Sequence, residues 1–498
     1  MRFFVLVASD FCVFPAHMCN ALHDVAENAS FIVANAGGSG AGGIFADLIE
    51  SGVAIESVHD INGMESDWVT GGDADRLAYY TDILGSDAIN RILVSDRHLG
   101  GGYVSCGYIP EVPFMRLCKT DRDRECFLVS LLDYLFDTLK TKKVDVVLNY
   151  AVAGAFTMAC HYVCEHLGIE YRRFNHTRVE DWTTFDKTPE AFAPHIGERY
   201  RSFLAGESVP EKVMAEARKL VGQFIDNPVT PRYQLVTVEM LRNTLPLKSL
   251  AALLALSISR KEPEHLRMMY PFAQLKFLLR RIVAQVGAIV EHKKKEQRSL
   301  DKPFAYYPLH FDPEASTMVM APLMTNQFAV IEALSKSIPP HWNLVIKEHS
   351  IMLGRRPPGF YKTLRKIPKV VLASPFDNQF EYMQKAEAIC TITGTAGWES
   401  MLLGKVPLFM GMNHFQQMGE GVVQCTDLTK LPDAIREVAD ASPASREHLE
   451  LFMAAMIHES FVMPSEFLGE TCGVAGISAR EPARVAAENL LESLGGKG

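Results

Sequence analysis

Residues 388–410, Ala-Ile-Cys-Thr-Ile-Thr-Gly-Thr-Ala-Gly-Trp-Glu-Ser-Met-Leu-Leu-Gly-Lys-Val-Pro-Leu-Phe-Met, decide the fold of this chain. Two short apolar runs, 388–391 and 406–410, enclose a stretch with helical spacing at 396–403. Apolar runs this short are typical of parallel strands that are covered on both faces. The stretch therefore predicts one β-α-β unit of a parallel sheet.

The sequence before this unit repeats the same alternation. Strand-like runs lie at 304–308, 342–348 and 370–373, and helical spacing lies at 328–335, 360–365 and 380–384. A series of β-α units of this size predicts a Rossmann-like domain, which we assign to residues 301–425.

The first part of the chain predicts a second domain of the same kind. Strands are expected at 3–8, 30–34, 92–95 and 144–149, and helices at 124–141 and 153–167. We assign this Rossmann-like domain to residues 1–186. A glycine-rich stretch at 36–43 lacks the spacing of a dinucleotide fingerprint and the lysine of a P-loop, so we expect a flexible loop near the cleft.

Helical periodicity dominates the remainder. Residues 187–300 carry it at 211–224, 234–256 and 262–292, which predicts a helical insertion or bridge between the domains. Residues 426–498 are expected to form a helical tail that packs back on the body. The predicted fold class is α/β, with two Rossmann-like domains, a helical insertion and a helical tail.

Composition limits the functional classes. The 498 residues carry a formal charge of −9, so the protein as a whole is not built to coat nucleic acid. The ten cysteines are scattered, which indicates reduced thiols in the cytoplasm. The longest candidate membrane span, residues 249–258, is too short for a bilayer that needs about 20 residues. We therefore expect a cytoplasmic protein.

Two candidate catalytic groups follow the predicted strand at 304–308. His310 and Glu314 lie in one strand-to-helix loop, where either could act as an acid or base or could orient a ligand. Glu314 has a simpler explanation as well, because a carboxylate near a helix start is favoured by the helix dipole.

Two further loops offer groups that bind phosphates or bases. Lys347, His349 and Ser350 close the strand at 342–348, although a surface lysine and a capping histidine would give the same pattern. After the strand at 388–391 come further candidates at the start of a helix, where backbone N–H groups and the dipole attract phosphate. They are Thr393, Gly394, Thr395, Ala396 and Glu399.

The order of these motifs resembles a known family. Pro-Leu-His and Pro-Glu at 308–314, Lys-x-His at 347–349, Thr-x-x-Gly-Thr-Ala-Gly-x-Glu at 391–399 and Gly-Lys-Val-Pro-Leu at 404–408 are similar to bacterial capsule polysaccharide biosynthesis proteins. Those are glycosyltransferases with two Rossmann domains, the GT-B architecture, and some transfer Kdo from CMP-Kdo. The resemblance covers residues 302–412. Ser350 stands where the family usually has proline.

The resemblance implies that one domain binds the donor and the other binds the acceptor. The candidates at 347–350 and 393–399 would line the donor pocket, with His310 and Glu314 facing the cleft, and the nucleotide sugar would be a substrate with no permanently bound cofactor. The first domain would then hold the acceptor. Its candidates are Asp96 as a catalytic carboxylate, and Arg97, His176 and Arg178 on the acceptor side, although an ordinary polar loop would explain residues 95–103 equally well.

Two other patterns have structural explanations. The Asp-x-Asp pairs at 73–75 and 121–123 precede helices, so helix-start charge explains them better than a metal, and no metal site is predicted. The basic stretch 272–298 could lie on an anionic membrane as a peripheral contact at the inner face of the cytoplasmic membrane. An amphipathic helix with a solvated basic face is the favoured alternative.

The sequence thus predicts a metal-independent glycosyltransferase that moves a sugar, a CMP-linked acidic sugar such as Kdo being favoured, to a surface glycan or glycoconjugate. Two alternatives stay open. One is a nucleotide-sugar epimerase, and the other is a non-catalytic subunit that binds glycan or nucleotide in a polysaccharide assembly complex. The sequence leaves the retaining or inverting outcome undecided.

Overall fold

The computed structural model describes residues 1–9, 13–37, 39–99, 107–150, 153–190, 192–229, 265–294, 301–349, 352–464 and 479–495, together with residues 254, 257 and 263. Within these ranges the chain forms a seven-stranded and a six-stranded sheet. Both sheets carry apolar clusters on their two faces, as a doubly wound α/β fold requires. The predicted class of two Rossmann-like domains is confirmed.

The first sheet has the order β13-β6-β5-β4-β1-β2-β3. Its strands are β1 (Arg2–Ser9), β2 (Ser30–Gly37), β3 (Ile55–Asp60), β4 (Val146–Asn149), β5 (Glu170–His176), β6 (Trp182–Asp186) and β13 (Phe461–Val462). The five strands from β5 to β3 are parallel, whereas β6 pairs antiparallel with both β5 and β13. In β1, Phe4 and Leu6 enter one core, and Phe3, Val5 and Val7 enter the other.

Eight helices precede or connect these strands in the described part of the chain. They are α1 (Val13–Val25), α2 (Ser39–Glu50), α3 (Ile61–Gly71), α4 (Leu77–Leu84), α5 (Ser86–Ser95), α6 (Pro113–Leu117), α7 (Asp121–Thr141) and α8 (Ala155–Leu167). Helices α7 and α8 pack on one face of the sheet and α1 on the other.

Two predictions for this domain are wrong. The expected strand at 92–95 is the last turn of α5, in which Ala88, Ile89 and Ile92 are buried at helical spacing. The glycine-rich stretch at 36–43 is not a loop, because β2 continues to Gly37 and α2 begins at Ser39. A short apolar run such as Ile92–Val94 fits a helix or a strand, and the neighbouring buried positions decide between them.

The second sheet is entirely parallel, in the order β12-β11-β10-β7-β8-β9. Its strands are β7 (Phe304–Pro308), β8 (Asn343–Lys347), β9 (Val370–Ala373), β10 (Ala388–Thr391), β11 (Pro407–Phe409) and β12 (Val423–Gln424). The helices of this domain are α12 (Ala315–Met318), α13 (Gln327–Ser337), α14 (Phe360–Leu364), α15 (Gln379–Lys385) and α16 (Ala396–Leu402). All five strands predicted here are present, and only the short β12 was not foreseen.

The other described segments are mainly helical, as the predicted fold class requires. They contain α9 (Pro194–Leu204), α10 (Glu211–Asp226), α11 (Pro271–Lys294), α17 (Leu431–Asp440), α18 (Arg446–His458) and α19 (Arg480–Gly495). Most of the helix expected at 234–256 lies outside the described residues. The α19 helix buries Ala483, Ala486 and Leu490 beside α1, and β13 adds a strand to the first sheet. The exact domain boundaries stay a prediction.

Candidate functional site

The three loops that carry the predicted donor groups leave one edge of the second sheet. In this sheet β7 lies between β8 and β10, and all three strands are parallel. The chain order reverses between β7 and β10. Such a reversal opens a crevice beyond the carboxyl ends of the strands, where α/β proteins bind ligands.

His310 joins two of these loops. Its backbone N–H donates to Gln327 Oε1 at 2.9 Å, and its ring Nε2 accepts from the backbone N–H of Thr393 at 3.1 Å. Burial, with the nearby charges of Arg178 and Arg356, lowers the pKa of His310 to about 3, so the ring is neutral. A neutral ring that accepts at Nε2 carries its hydrogen on Nδ1. Among the described residues Nδ1 is buried and has no hydrogen-bond partner.

The loop after β10 is closed by its own hydrogen bonds. The Gly394 N–H donates to Thr391 Oγ1 at 3.0 Å, and the Thr393 hydroxyl donates to the Ser316 carbonyl at 3.2 Å. A Cβ atom on Gly394 would lie 2.7 Å from Thr391 Oγ1 and 3.3 Å from His310 Nε2, so a side chain would strain the loop. The amides of Thr393 and Gly394 therefore serve the loop itself. Donor binding by Thr393, Gly394, Thr395 and Ala396 stays a prediction.

Glu399 is buried in the first turn of α16, with 1% of its surface exposed. Its Oε2 accepts from Gln379 Nε2 at 3.1 Å, and the Thr395 hydroxyl also bonds to the carboxyl group. Burial raises the pKa of Glu399 to about 7, against the lowering by Thr395. A carboxyl group that titrates near neutrality inside a ligand crevice can hold or release a proton there. Its predicted contact with a donor stays a prediction.

Lys347 and His349 end β8 beside this crevice. The Lys347 ammonium donates to the Pro375 carbonyl at 3.1 Å, and burial lowers its pKa, against the charges of Asp377 and Glu348. Burial also lowers the pKa of His349. Ser350 lies outside the described residues. The structure thus places both described residues at the predicted strand end, and their donor contacts stay a prediction.

Glu348, which lies between Lys347 and His349 in the sequence, forms an ion pair with Arg356 that was not predicted from the sequence. Glu348 accepts from Arg356 at 2.8 and 2.9 Å and from the Tyr361 hydroxyl at 2.8 Å, and both partners of the pair are buried. Arg356 also donates to the His310 carbonyl at 2.8 Å. The pair therefore fixes the loop after β8 to the loop after β7. No pattern in the sequence indicates that Arg356 turns back to this strand end.

The loop after β7 carries two carboxyl groups. Glu314 is exposed and accepts from the Ser316 hydroxyl at 2.6 Å. Asp312 has 1% of its surface exposed and accepts from the Thr317 hydroxyl at 3.1 Å, and its Oδ2 has no partner among the described residues. Burial raises the pKa of Asp312 to about 6, against the lowering by Arg356. Asp312 is not among the site residues predicted from the sequence.

The first domain reaches this edge through the hairpin after β5. Arg178 donates one guanidinium N–H to the Thr393 carbonyl and lies 3.2 Å from Met320 Sδ through Nη2. His176 Nδ1 accepts from the Arg178 backbone N–H at 2.9 Å. Burial, helped by the charge of Arg178, lowers the pKa of His176 to about 4. Arg178 thus contacts the donor-side loop and His176 bonds to Arg178, and their acceptor-side roles stay a prediction.

Arg97 faces the same loop from the other side. Burial lowers its pKa, and the charges of Asp96, Glu314 and Asp312 oppose that shift. Gly107 packs directly on the backbone of Asp312 and leaves no room for a side chain. Arg97 and the two carboxyl groups of the 310–317 loop therefore belong to one interdomain cluster.

Asp96 takes part in an ion pair with Arg267. Its carboxylate accepts from Arg267 Nη1 at 2.8 Å, from the amides of His98 and Leu99 at 2.8 and 3.2 Å, and from the Ala155 amide at 3.4 Å. Arg267 also binds Glu65. Despite burial, the charge of Arg267 holds the pKa of Asp96 far below its usual range. Asp96 follows a helix, not the expected strand, and its catalytic role stays a prediction.

The two Asp-x-Asp pairs act at helix starts, as expected. Asp73 accepts from the Asp75 backbone N–H, and Asp123 forms a capping box with Thr120 at the start of α7. Within the described ranges, no group of three or more His, Cys, Asp or Glu side chains is arranged to hold a metal ion.

No family model and no curated protein matches the sequence. Three solved structures with a similar order of elements are KpsC of Thermosulfurimonas dismutans, described as a beta Kdo 2,7 transferase, a UDP-GlcNAc 2-epimerase from Neisseria meningitidis and a glycosyltransferase from Rickettsia africae. KpsC is 11% identical and aligns over 73% of this chain and 89% of its own, with a TM-score of 0.35. The epimerase is 11% identical over 99% and 100% of the two chains, with a TM-score of 0.22.

The Rickettsia glycosyltransferase is 8% identical over 98% of each chain, with a TM-score of 0.26. With identities near a tenth and TM-scores below 0.5, these likenesses carry no conclusion about what the chain does. The fold described above rests on the chain's own strands and helices.

Proposed function

We propose that the protein is a glycosyltransferase that binds a nucleotide sugar where β7, β8 and β10 end. The observation that supports this most is that His310, Lys347 and the 391–399 loop follow three adjacent parallel strands at one edge of the sheet, where Arg178 of the other domain donates to the Thr393 carbonyl. A CMP-linked acidic sugar such as Kdo is the favoured donor, because the order of motifs resembles the capsule biosynthesis proteins. The acceptor would be a glycan or glycoconjugate held by the first domain.

The residues of the crevice have properties that suit group transfer. The neutral ring of His310 would donate from Nδ1 to an oxygen of the donor and fix its position. Lys347 would exchange the Pro375 carbonyl for a donor phosphate and stabilise the negative charge that grows there as the glycosidic bond breaks. Transfer without a metal is part of the proposal.

The carboxyl groups of the 310–317 loop would handle the acceptor proton. The pKa of Asp312 is about 6, so this group would be mainly a carboxylate at neutral pH and would accept a proton from the acceptor hydroxyl. Glu314, which is exposed, is the other candidate for this role. The hydroxyl oxygen would then bond to the anomeric carbon as the nucleotide phosphate leaves. In a retaining reaction a carboxylate would instead attack first.

The release of CMP from CMP-Kdo in the presence of capsule glycan fragments tests the activity. We expect release with the acceptor, a glycan product of higher mass, and a loss of about 10²–10⁴-fold in rate in Glu314→Gln or Asp312→Asn if that residue is the base. The matched control is Glu332→Gln, an exposed carboxylate on α13. Conversion of the nucleotide sugar without any acceptor would instead favour an epimerase.

We also propose that α11 contacts an anionic membrane surface, where a lipid-linked acceptor would lie. Within the described ranges, no helix is both long and apolar enough to cross a bilayer. Phe272, Leu279, Val283 and Val286 are exposed on α11, beside the exposed Lys276. Residues 271–298 hold seven Lys or Arg and two Glu in a protein of charge −9. Apolar side chains flanked by cations suit an anionic lipid interface.

Sedimentation with vesicles tests this contact. The protein should bind phosphatidylcholine vesicles that contain phosphatidylglycerol and should bind pure phosphatidylcholine vesicles less. Val283→Glu should weaken binding, whereas Val462→Glu, which changes an exposed valine on β13, should not. Equal binding of Val283→Glu and the wild type would contradict the contact.

A further inference from the structure

Three arginines converge where the two domains and α11 meet. Arg97 follows α5 in the first domain, Arg281 lies on α11, and Arg355 follows β8 in the second domain. Arg281 and Arg355 are held close because Gly354 packs on the backbone of Arg281. The charges of Arg281 and Arg97 both reach Arg355. The cluster of Arg97, Arg281 and Arg355 therefore brings three positive charges together at the interdomain cleft, of which Arg97 also faces the carboxyl groups of Asp96, Asp312 and Glu314.

The surrounding contacts fix these side chains in place. The Arg355 guanidinium lies over the rings of Phe277 and Phe311, at 5.1 and 5.3 Å from their centroids. The Arg355 carbonyl accepts from the Tyr108 backbone N–H at 2.6 Å, and the Tyr108 ring stacks on Phe277. A planar guanidinium held between aromatic rings keeps its N–H edge free to bind an anion.

Neither Arg281 nor Arg355 makes an ion pair with a described residue. Arg281 has only 4% of its surface exposed, and its Nε, like that of Arg355, has no hydrogen-bond partner among the described residues. Burial alone lowers the pKa of Arg281, and burial with the charges of Arg281 and Arg97 lowers that of Arg355 to about 10. A buried cation without a partner is unfavourable by several kcal/mol.

Other arginines that are buried or half-buried form ion pairs with carboxylates. Arg356 binds Glu348, Arg267 binds Glu65 and Asp96, and Arg172 binds Glu170. Arg173 is also buried without an ion pair to a described residue, but it donates to the Phe174 and Pro189 carbonyls. Among the arginines that the structure describes, Arg281 and Arg355 are the ones with a buried Nε that has no hydrogen-bond partner. The sequence-based expectation of a solvated basic face on α11 is also wrong at Arg281, which faces the protein while apolar side chains face outward.

We propose that Arg97, Arg281 and Arg355 form a binding site for an oxyanion, a phosphate or a carboxylate, carried by a substrate in the interdomain cleft. The cluster adjoins the 310–317 loop, because Arg97 lies by Glu314 and Arg355 stacks on Phe311. Guanidinium groups bind both oxyanions through paired N–H donors. The proposal rests on the proposed transferase activity only for the identity of the molecule that carries the oxyanion.

Calorimetric titration with sodium pyrophosphate and with free Kdo tests the site. Pyrophosphate represents a phosphate ligand and Kdo a carboxylate ligand, so the two titrations distinguish between these oxyanions. Neutral mannose serves as the reference ligand. We expect the wild type to bind at least one of the two anions. In Arg281→Met and in Arg355→Met, the affinity for that anion should fall by about tenfold or more. Arg355→Lys keeps a charge and should retain part of the binding. Arg218→Met, which removes an exposed arginine of α10, should bind as the wild type does.

Thermal unfolding of the ligand-free variants provides an independent readout. Because neither arginine makes an ion pair with a described residue, replacement by methionine should leave the melting temperature unchanged or raise it. Unchanged anion affinity in both variants would overturn the proposal, as would a failure of the wild type to bind either anion. If CMP fails to bind while pyrophosphate or Kdo binds through Arg281 and Arg355, the donor pocket is wrong and the oxyanion site stands.

Discussion

The backbone N–H of Thr393 donates to Nε2 of His310 at 3.1 Å, which fixes the loop after β10 to the loop after β7. The same bond sets the ring tautomer and leaves a buried Nδ1–H without a hydrogen-bond partner among the described residues. A hydrogen bond inside the protein thereby prepares a group for binding, and its removal should affect both stability and nucleotide affinity.

His310→Ala should lower the free energy of unfolding by about 1–3 kcal/mol, because the Thr393 N–H loses its buried acceptor. CMP affinity should fall as well. Urea unfolding and CMP titration measure the two effects. The control is His341→Ala, an exposed histidine before β8. A variant with normal stability and normal CMP affinity would contradict the role given to His310.

Glu399 should make the protein less stable as the pH rises. Burial raises its folded pKa to about 7 from 4.5, so between these values the folded state holds a proton that the unfolded state has lost. Stability should therefore fall from about pH 4.5 through pH 7, by up to about 3 kcal/mol. Urea unfolding at pH 5, 6, 7 and 8 gives the free energy of unfolding of Glu399→Gln and of the wild type. The difference between the two proteins should change across this pH range. Parallel curves for the two proteins would refute the shift.

Arg356→Met should be strongly destabilising, by about 3–5 kcal/mol, because it leaves Glu348 buried and unpaired. Arg281→Met, which removes a buried arginine without a partner, should not be. Arg436→Met changes an exposed arginine of α17 and serves as the control. Denaturant unfolding of the three variants ranks them, and a similar loss in Arg281→Met would imply that Arg281 has a structural partner.

Asp96→Asn should destabilise the first domain by about 3–5 kcal/mol, since Arg267 and three amides converge on the carboxylate. Asp82→Asn, an exposed carboxylate on α4, is the matched control. Unfolding and transfer rates should be measured on the same preparations. A variant of normal stability that has lost transfer would instead support the catalytic role predicted from the sequence.

The second sheet was predictable because its strands are short apolar runs that are buried on both faces, as in Ala388–Thr391. The strand predicted at 92–95 is wrong because three consecutive apolar residues, Ile92–Val94, fit the helical period as well as the strand period. The strands β3 and β6 were missed because their polar residues hide the apolar pattern. The loops that hold His310, Lys347 and Thr393 were foreseen from their places after strands.

The partners of these residues were not foreseeable. Arg267 meets Asp96 across 171 positions of sequence, and Arg356 turns back to Glu348 only because its loop folds over β8. The burial of Arg281 was not predictable either. Apolar residues occur on both sides of α11, so their helical spacing does not indicate which face of the helix packs against the protein.

Calorimetric titration with CMP, UDP and GDP tests the central claim, that the strand ends of the second sheet bind a nucleotide-sugar donor. The account predicts that CMP binds, that Lys347→Ala and His349→Ala weaken it about tenfold or more, and that Lys336→Ala, an exposed lysine on α13, does not. At a hundred times its Kd, CMP should also stabilise the protein by about 2.7 kcal/mol. Binding of none of the three nucleotides, or CMP binding that neither strand-end variant alters, would contradict it.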